Sequence, residues 1–215
     1  GVEAQGELWR GWQGARGGDE VGRTMAAAPK LILRINALSS GQADADLDAV
    51  MQTCPHAVML PKAEGGMSVQ HLGAKLAVRE AEHELGDGSV HIIAIATETG
   101  GAMFQLGTYA GASHRLIGLT WGAEDLSTEL GAETNRLADG SYADPYRLAR
   151  ALTLFGAAAA EVDAIDTVYT GFRDADGLKA ECEAARRDGF TGKMAIHPAQ
   201  IPLINAVFTP SLLSL

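Results

Sequence analysis

The chain has 215 residues, and 17 lysines and arginines against 27 aspartates and glutamates give a formal net charge of -10. This acidic balance argues against binding along nucleic-acid phosphates, which requires clusters of basic residues. The sequence also contains no apolar run of about 18 residues, so it predicts no membrane-spanning helix.

The N-terminal segment, residues 1–30, differs from the rest of the chain. It is rich in glycine and shows no sustained apolar period. We expect poor order up to about Gly18 and a short helix over Asp19–Ala28. We therefore divide the chain into this poorly patterned segment and an α/β domain over residues 31–215.

Six short apolar runs follow, separated by longer amphipathic stretches. Runs of this kind are typical of strands that are buried on both faces of a parallel sheet. The predicted strands are Leu31–Ile35, Ala57–Leu60, Val90–Ala96, Leu116–Thr120, Ala164–Tyr169 and Lys193–Ile196. A closed (β/α)₈ barrel needs eight strands, so the pattern indicates an open parallel sheet or an incomplete barrel.

Helical spacing fills four of the intervals. Apolar residues recur three or four positions apart after Ser68, a candidate N-cap, and again from Met103 to Ala110. A third helix runs through Leu148–Ala159 with Pro145 in its first turn, and a fourth runs through Leu178–Ala185. Asp174 or Asp176 lies near the start of the fourth helix. Alternating strands and helices predict a parallel α/β fold.

Two carboxylates follow neighbouring predicted strands. Glu98 comes after Val90–Ala96, and Asp125 comes after Leu116–Thr120. Active residues of parallel α/β folds gather at the C-terminal ends of strands, and two carboxylates with open positions are a common Mg²⁺ site. The alternative is that each acid only stabilises the N-terminus of a helix. Spacing alone leaves both interpretations open.

Arg34 lies at the end of the first predicted strand, within the sequence LILRIN. A strand-end arginine is suited to binding a carboxylate through two parallel hydrogen bonds. The alternative is an ion pair with Asp44 or Asp46. His197 follows the last predicted strand, and we interpret it as structural, because a single histidine more often has a structural than a catalytic role.

Several enzyme classes are disfavoured by missing motifs. The sequence has no Gly-x-Gly-x-x-Gly fingerprint, no Walker loop and no Gly-x-Ser-x-Gly elbow. The two cysteines, Cys54 and Cys182, are too few for a disulfide framework, and we predict buried thiols in a reducing compartment. We therefore expect a cytoplasmic protein.

Several segments together resemble the citrate lyase β-subunit and malyl-CoA lyase family of Mg²⁺-dependent CoA-ester lyases. The resemblance runs from about Leu31 to Pro210, and the combination of WGAEDL with GKMAIHPAQI is specific to it. The matching segments are Arg34–Asn36 (RIN), Val58–Glu64 (VMLPKAE), Ile95–Gly100 (IATETG), Arg115–Leu126 (RLIGLTWGAEDL), Ala164–Tyr169 (AIDTVY) and Gly189–Gln200 (GFTGKMAIHPAQ).

The resemblance implies a (β/α)₈ TIM barrel that assembles into trimers or hexamers. It also implies Mg²⁺ bound by Glu98 and Asp125, with Arg34 on the substrate carboxylate and Glu98 contributing to substrate binding through the metal. The implied activity is cleavage or formation of a 3-hydroxyacyl thioester, such as citryl-CoA or malyl-CoA. The products are an acyl thioester and a 2-oxo acid, and the carrier is CoA or an acyl-carrier protein. No residue is assigned as the proton donor.

The chain also departs from the family pattern at both ends. The family has two strands before the Arg-x-Asn strand and a helical segment after the Phe-x-Pro motif, and we recognise neither here. We therefore expect an incomplete barrel with six strands. Two alternative functions follow: an inactive or partner-dependent lyase-like subunit or fragment, and an aldolase that acts on 2-oxo acids without a thioester.

Overall fold

A parallel sheet of six strands forms the centre of the molecule. The computed structural model describes residues 30–209, and the strands lie in the order β1-β2-β3-β4-β5-β6. The sheet curls into a half-barrel, which confirms the predicted α/β fold of TIM-barrel type with six strands. The strands are β1 Ile32–Arg34, β2 Ala57–Leu60, β3 His91–Ile95, β4 Leu116–Thr120, β5 Asp163–Asp166 and β6 Gly192–Lys193.

Helices cover one face of this sheet and connect its strands. Every strand pair is parallel, so each connection must cross back over the sheet. The helices are α1 Ala43–Met51, α2 Gly66–Glu82, α3 Ala123–Leu130, α4 Asp144–Ala160, α5 Ala175–Asp188 and α6 Ile201–Phe208.

The strands are largely apolar because both faces of the sheet are buried. Along β3, Ile92 and Ala94 pack in the main core, which the helices share. Ile93 and Ile95 belong to a second cluster on the opposite, concave face. The other buried members of that cluster are Ile32, Ala57, Met59, Ile165 and Met194. The alternation explains the continuous apolar runs of the sequence.

Strand register brings the C-terminal ends of the strands to one edge. Ile95 at the end of β3 pairs with Thr120 at the end of β4. The register shifts by one residue at Ile92 and Ile93, so that Ile92 pairs with Leu116 and Ile93 pairs with Gly118. This bulge fixes which residues of β4 reach the edge beside β3.

Two of the predicted helices are confirmed with their start signals. Pro145 lies in the first turn of α4. Asp174 is the N-cap of α5, where its side chain accepts a hydrogen bond from the Gly177 N–H at 2.9 Å. Both signals are local in the sequence, so they indicate the helix starts without knowledge of the fold.

The predicted N-cap of α2 at Ser68 is wrong, because the observed N-cap lies three residues earlier. Its N-cap is Gly65 at a φ of 88°, a left-handed conformation that glycine adopts at little cost. The N–H of Gly66 donates to Thr108 Oγ1 at 2.9 Å. This contact comes from a segment more than 40 residues away, so the local sequence did not reveal it.

Four other predictions differ from the structure. The predicted helix between Met103 and Ala110 is replaced by two short 3₁₀ turns, Ala102–Phe104 and Leu106–Tyr109, in a segment that four nearby glycines interrupt. Cys182 is buried as predicted, but Cys54 is exposed with a φ of 46° in the turn after α1. Strand β6 is Gly192–Lys193 rather than Lys193–Ile196, and β5 ends at Asp166 rather than at Tyr169.

The predicted N-terminal helix over Asp19–Ala28 lies outside the described residues. Within residues 30–209, no helix has the length and apolar character needed to cross a bilayer.

Candidate active site

Glu98 lies just beyond the C-terminal end of β3 and is almost fully buried, with 4% of its surface exposed. Its Oε2 accepts a hydrogen bond from the backbone N–H of Lys62 at 2.6 Å. Lys62 follows β2 and has a φ of 50°, an uncommon conformation for a residue other than glycine. Its N–H donates to Glu98 from this conformation, and the bond fixes one carboxylate oxygen of Glu98.

Asp125 lies beside Glu98, as the sequence predicted. It is in the first turn of α3, directly after β4, and its side chain is 49% exposed. The Nζ of Lys62 lies 3.8 Å from Asp125 Oδ1, so the same lysine contacts both acids, one through its backbone and one through its ammonium. The carboxylate pair and Lys62 therefore form one charged cluster at the edge of the sheet.

The environment of Glu98 disfavours its negative charge. Burial raises the pKa of Glu98, the nearby charge of Asp125 raises it further, and together they bring the pKa to about 7 despite the opposing charge of Arg34. A carboxyl group with such a pKa is more costly to ionise in the folded protein than in water. A cation between the two acids would remove that cost.

Gly122 permits the close approach of α3 to Glu98. A Cβ atom at this position would lie 2.8 Å from Glu98 Cγ, which is closer than carbon atoms pack. The Gly122 N–H donates to Thr97 Oγ1 at 3.2 Å, which connects the turn before α3 to the end of β3. The glycine in WGAED is thus explained by the lack of room for a side chain beside Glu98, and not by a backbone conformation that only glycine adopts easily.

The donor set fits Mg²⁺. Magnesium is commonly bound by one or two carboxylates, with water and substrate oxygens completing six positions. Among residues 30–209, no group of three or more His, Cys, Asp or Glu side chains is arranged to hold a metal ion. Catalytic zinc sites use three protein ligands that include nitrogen or sulfur, so Glu98 and Asp125 match magnesium better than zinc.

Arg34, the last residue of β1, is exposed, and its positive charge lowers the pKa of Glu98. The alternative ion pairs predicted from the sequence are not formed. Asp44 binds Lys75 at 2.8 Å, together with Arg79. Asp46 accepts hydrogen bonds from the backbone and side chain of Asn36, at 2.7 and 2.8 Å. Arg34 is thus placed on the same edge of the sheet as the carboxylate pair.

Other strand-end polar residues have structural partners. Glu124 accepts a hydrogen bond from Asn135 Nδ2 at 2.9 Å, and Glu64 accepts one from Thr99 Oγ1 at 2.9 Å. His197 Nδ1 accepts from the Ala199 N–H at 3.1 Å, so it caps a 3₁₀ turn. The structural interpretation of His197 therefore agrees with its contacts.

Sequence reasoning did not assign a role to Lys62 or Gly122. Lys62 stands in the segment VMLPKAE, but its hydrogen bond to Glu98 joins residues that are 36 positions apart in the sequence. The glycine between Trp121 and Ala123 was part of the WGAEDL signal, and its close approach to Glu98 is visible only in three dimensions.

A curled parallel sheet with a carboxylate pair at its C-terminal edge defines a class of α/β proteins suited to magnesium chemistry. A family model described as HpcH/HpaI aldolase/citrate lyase matches residues 20–198. The chain belongs to the HpcH/HpaI aldolase/citrate lyase family.

Individual relatives agree with this assignment. The citrate lyase subunit beta-like protein of Mycobacterium tuberculosis is 34% identical over 182 residues, which cover 85% of this chain and 60% of that protein. The mitochondrial citramalyl-CoA lyase of Rattus norvegicus is 34% identical over 193 residues, which cover 83% of this chain and 54% of that protein. The chain thus spans less than two thirds of the length of these curated relatives.

The fold is also similar to solved structures. The crystal structure of CitE from Mycobacterium tuberculosis in complex with magnesium, acetoacetate and coenzyme A superposes with a TM-score of 0.70 at 34% identity. The match covers 84% of this chain and 61% of that chain.

Proposed function

We propose that the protein is a Mg²⁺-dependent carbon–carbon lyase that cleaves, or in reverse forms, a 3-hydroxyacyl thioester of the citryl-CoA or malyl-CoA type. The observation that carries the proposal is the pairing of buried Glu98 with Asp125 at the sheet edge where Arg34 also lies. Its substrates would be an acyl-CoA, or an acyl-carrier thioester, and a 2-oxo acid.

The relatives support the choice of substrate class. One relative is named a citramalyl-CoA lyase, and the similar CitE structure contains magnesium, acetoacetate and coenzyme A. These molecules are a divalent cation, an oxo acid and a thioester carrier. In this chain the carboxylate pair would bind the cation, and Arg34 would bind the carboxylate of the oxo acid.

Glu98 and Asp125 would hold the metal, which when bound supplies Lewis-acid stabilisation of oxyanion charge. Arg34 would bind the carboxylate of the oxo-acid portion through two hydrogen bonds and fix its orientation. The Lys62 N–H keeps one Glu98 oxygen in place, and the burial of Glu98 keeps bulk water away from that carboxylate. Positioning and electrostatics are thus the contributions of this chain.

In the proposed cleavage, the substrate hydroxyl loses its proton and becomes the carbonyl of the 2-oxo acid. The bond between the hydroxyl-bearing carbon and the carbon next to the thioester carbonyl breaks. Its electron pair passes to the thioester as an enolate, which then takes up a proton to give the acyl thioester. The proposal assigns no residue of the chain as the donor of that proton.

The test is a coupled assay of 2-oxo acid release from citryl-CoA, malyl-CoA and citramalyl-CoA, with and without Mg²⁺. We expect Mg²⁺-dependent release, and a loss on the order of 10²–10³-fold in Glu98→Ala and Asp125→Ala, because metal stabilisation of an oxyanion is worth several kcal/mol. Glu124→Ala is the matched control, since Glu124 lies beside Asp125 but bonds Asn135 instead. Equal Mg²⁺ affinity in all four proteins would contradict the metal assignment.

A second arm of the assay tests Arg34. Arg34→Lys keeps the positive charge but loses the planar pair of donors, so we expect weaker binding of oxaloacetate or glyoxylate. Unchanged binding would place the carboxylate contact elsewhere.

The same assay distinguishes the alternative reactions. Release of free CoA without a 2-oxo acid would indicate hydrolysis, and activity confined to substrates without a thioester would indicate an aldolase.

We also propose a cytoplasmic location, which rests on the small number of cysteines, and a homo-oligomeric state. Fractionation of the native host cells would test the location.

A further inference from the structure

A buried charge cluster lies beneath the helical layer on the far side of the sheet from the concave face. Its centre is Lys193 of β6, whose side chain has 0% exposure. The Lys193 Nζ lies 2.8 Å from Asp166 Oδ2 of β5 and 3.1 Å from Glu181 Oε2 of α5. A fully buried lysine is rarely kept without such pairing.

Asp166 connects this ion pair to the residue that precedes Gly122. Its second oxygen, Oδ1, accepts a hydrogen bond from Trp121 Nε1 at 2.7 Å. Trp121 follows β4 directly and has 0% exposure. The two oxygens of the Asp166 carboxylate therefore have different partners: Oδ2 pairs with Lys193, and Oδ1 binds the indole N–H of Trp121 and lies 3.6 Å from Arg150 Nε.

The same ring is held from a second side. Tyr142 packs edge-on against Trp121, with ring centroids 5.0 Å apart. Arg136 donates to the Tyr142 hydroxyl at 2.8 Å and lies 2.7 Å from Glu181, the other carboxylate that binds Lys193. The indole is thus fixed by the hydrogen bond to Asp166 and by the ring contact with Tyr142. Asp166 binds Lys193 directly, and Tyr142 is connected to Lys193 through Arg136 and Glu181.

Trp121 is one residue from Gly122, where a Cβ atom would lie 2.8 Å from Glu98 Cγ, and four residues from Asp125. Because Trp121 is covalently joined to Gly122, a displacement of the Trp121 backbone would displace the turn that carries Gly122 and leads into α3. Buried ion pairs often contribute no more stability than apolar residues of the same shape.

We propose that Trp121, Asp166 and Lys193 form a positioning unit that sets the location of Asp125 relative to Glu98. The inference rests on the proposed function, because it concerns the geometry of that metal site. Within residues 30–209, the hydrogen bonds of these three side chains go to partners other than Glu98 and Asp125, so they act through the turn and not as catalytic residues.

The experiment measures Mn²⁺ binding to the full chain by electron paramagnetic resonance, because Mn²⁺ accepts the same oxygen ligands as Mg²⁺. Trp121→Phe removes the indole N–H but keeps an aromatic ring and leaves the ion pairs intact. We expect a loss of about 10-fold in Mn²⁺ affinity, the lower end of the range for outer-shell changes. The Gly122 amide, measured by hydrogen exchange, should exchange faster than in the parent.

A conservative pair of variants separates hydrogen bonding from charge. Asp166→Asn keeps an oxygen that accepts from Trp121, whereas Asp166→Ala does not, so the Asn variant should bind Mn²⁺ more tightly than the Ala variant.

Leu76→Ala is the stability control, because it opens a cavity between α2 and the sheet, away from the cluster. It should lower the melting temperature and leave the Mn²⁺ affinity unchanged.

The outcomes separate this inference from the proposed function. Parental Mn²⁺ affinity together with unchanged Gly122 exchange in Trp121→Phe would overturn the inference. Absence of Mn²⁺ binding in the parent would contradict the proposed metal site instead. In that case the hydrogen exchange of the Gly122 amide tests the inference by itself. Faster exchange in Trp121→Phe supports the positioning role of Trp121, and unchanged exchange contradicts it.

Discussion

Glu98 combines two properties that conflict in a metal-free protein: it is buried, and it faces another carboxylate. Burial is the larger cause of its raised pKa, and the charge of Asp125 adds to it. The Lys62 N–H opposes the shift, since a donor to the carboxylate favours the ionised form. The result is a carboxyl group that titrates near neutral pH and that a divalent cation would hold ionised.

This shift predicts the pH dependence of stability in the metal-free protein. The pKa of Glu98 rises from 4.5 to about 7 on folding, so the folded state binds the proton more tightly than the unfolded state. Stability from this group is fully present below pH 4.5 and is lost as the pH rises through about 7. The loss at pH 8 is at most about 3 kcal/mol.

Glu98→Gln removes this titration, so we expect the metal-free variant to be more stable than the parent at pH 8 and similar to it near pH 4. Urea unfolding at several pH values, with metal removed by a chelator, measures the difference. Glu124→Gln, an exposed acid on the same edge of the sheet, should follow the parent. A parallel pH profile in Glu98→Gln and the parent would show that Glu98 ionises normally.

At the scale of elements, the site depends on how closely the start of α3 approaches the end of β3. Gly122 has no side chain, and a methyl group there would lie 2.8 Å from Glu98 Cγ. We expect Gly122→Ala to displace α3 or rotate Glu98 and to weaken Mg²⁺ binding by roughly 10-fold or more. Isothermal calorimetry with Mg²⁺ provides the measurement.

Gly140→Ala is a suitable control, because a Cβ at Gly140 meets no atom within 4 Å, although its φ of 84° makes alanine strained. This control should lose stability without losing Mg²⁺ affinity. If Gly122→Ala binds Mg²⁺ as tightly as the parent, the close approach of α3 has no role in the site.

The elements that the sequence predicted well are those with local signals. Pro145 and Asp174 mark the starts of α4 and α5, and the apolar runs mark strands that are buried on both faces. Glu98 and Asp125 were predictable together because parallel strands end at one edge. The N-cap of α2 at Gly65 and the left-handed conformation of Lys62 were not, because both lie beside hydrogen bonds to residues that are distant in the sequence.

The Trp121–Asp166–Lys193 cluster shows the limit of sequence reasoning most directly. All three residues lie in segments that were recognised, WGAEDL, AIDTVY and GKMAIHPAQ. Their chain separation is large, and only the strand order places β4, β5 and β6 side by side. The sequence pattern predicts Lys193 only as part of an apolar strand, whereas its side chain is the buried partner of two acids.

At the scale of the whole molecule, the outer surface carries an apolar patch on α4. Leu148 and Phe155 are seven residues apart and share one face of the helix, and they are 56% and 70% exposed. Phe104, in a 3₁₀ turn, is 87% exposed. Large apolar side chains that are exposed on one helix face are a common feature of contacts between subunits.

We therefore expect the chain to self-associate through α4. Size-exclusion chromatography with light scattering should give a mass that is a multiple of 22.5 kDa. Phe155→Glu should shift the mass toward the monomer, because it places a charge within an apolar contact. Val78→Glu changes an apolar residue of α2 that is 57% exposed, and it should leave the mass unchanged. A monomeric parent would exclude self-association, and an oligomer that survives Phe155→Glu would place the contact on another surface.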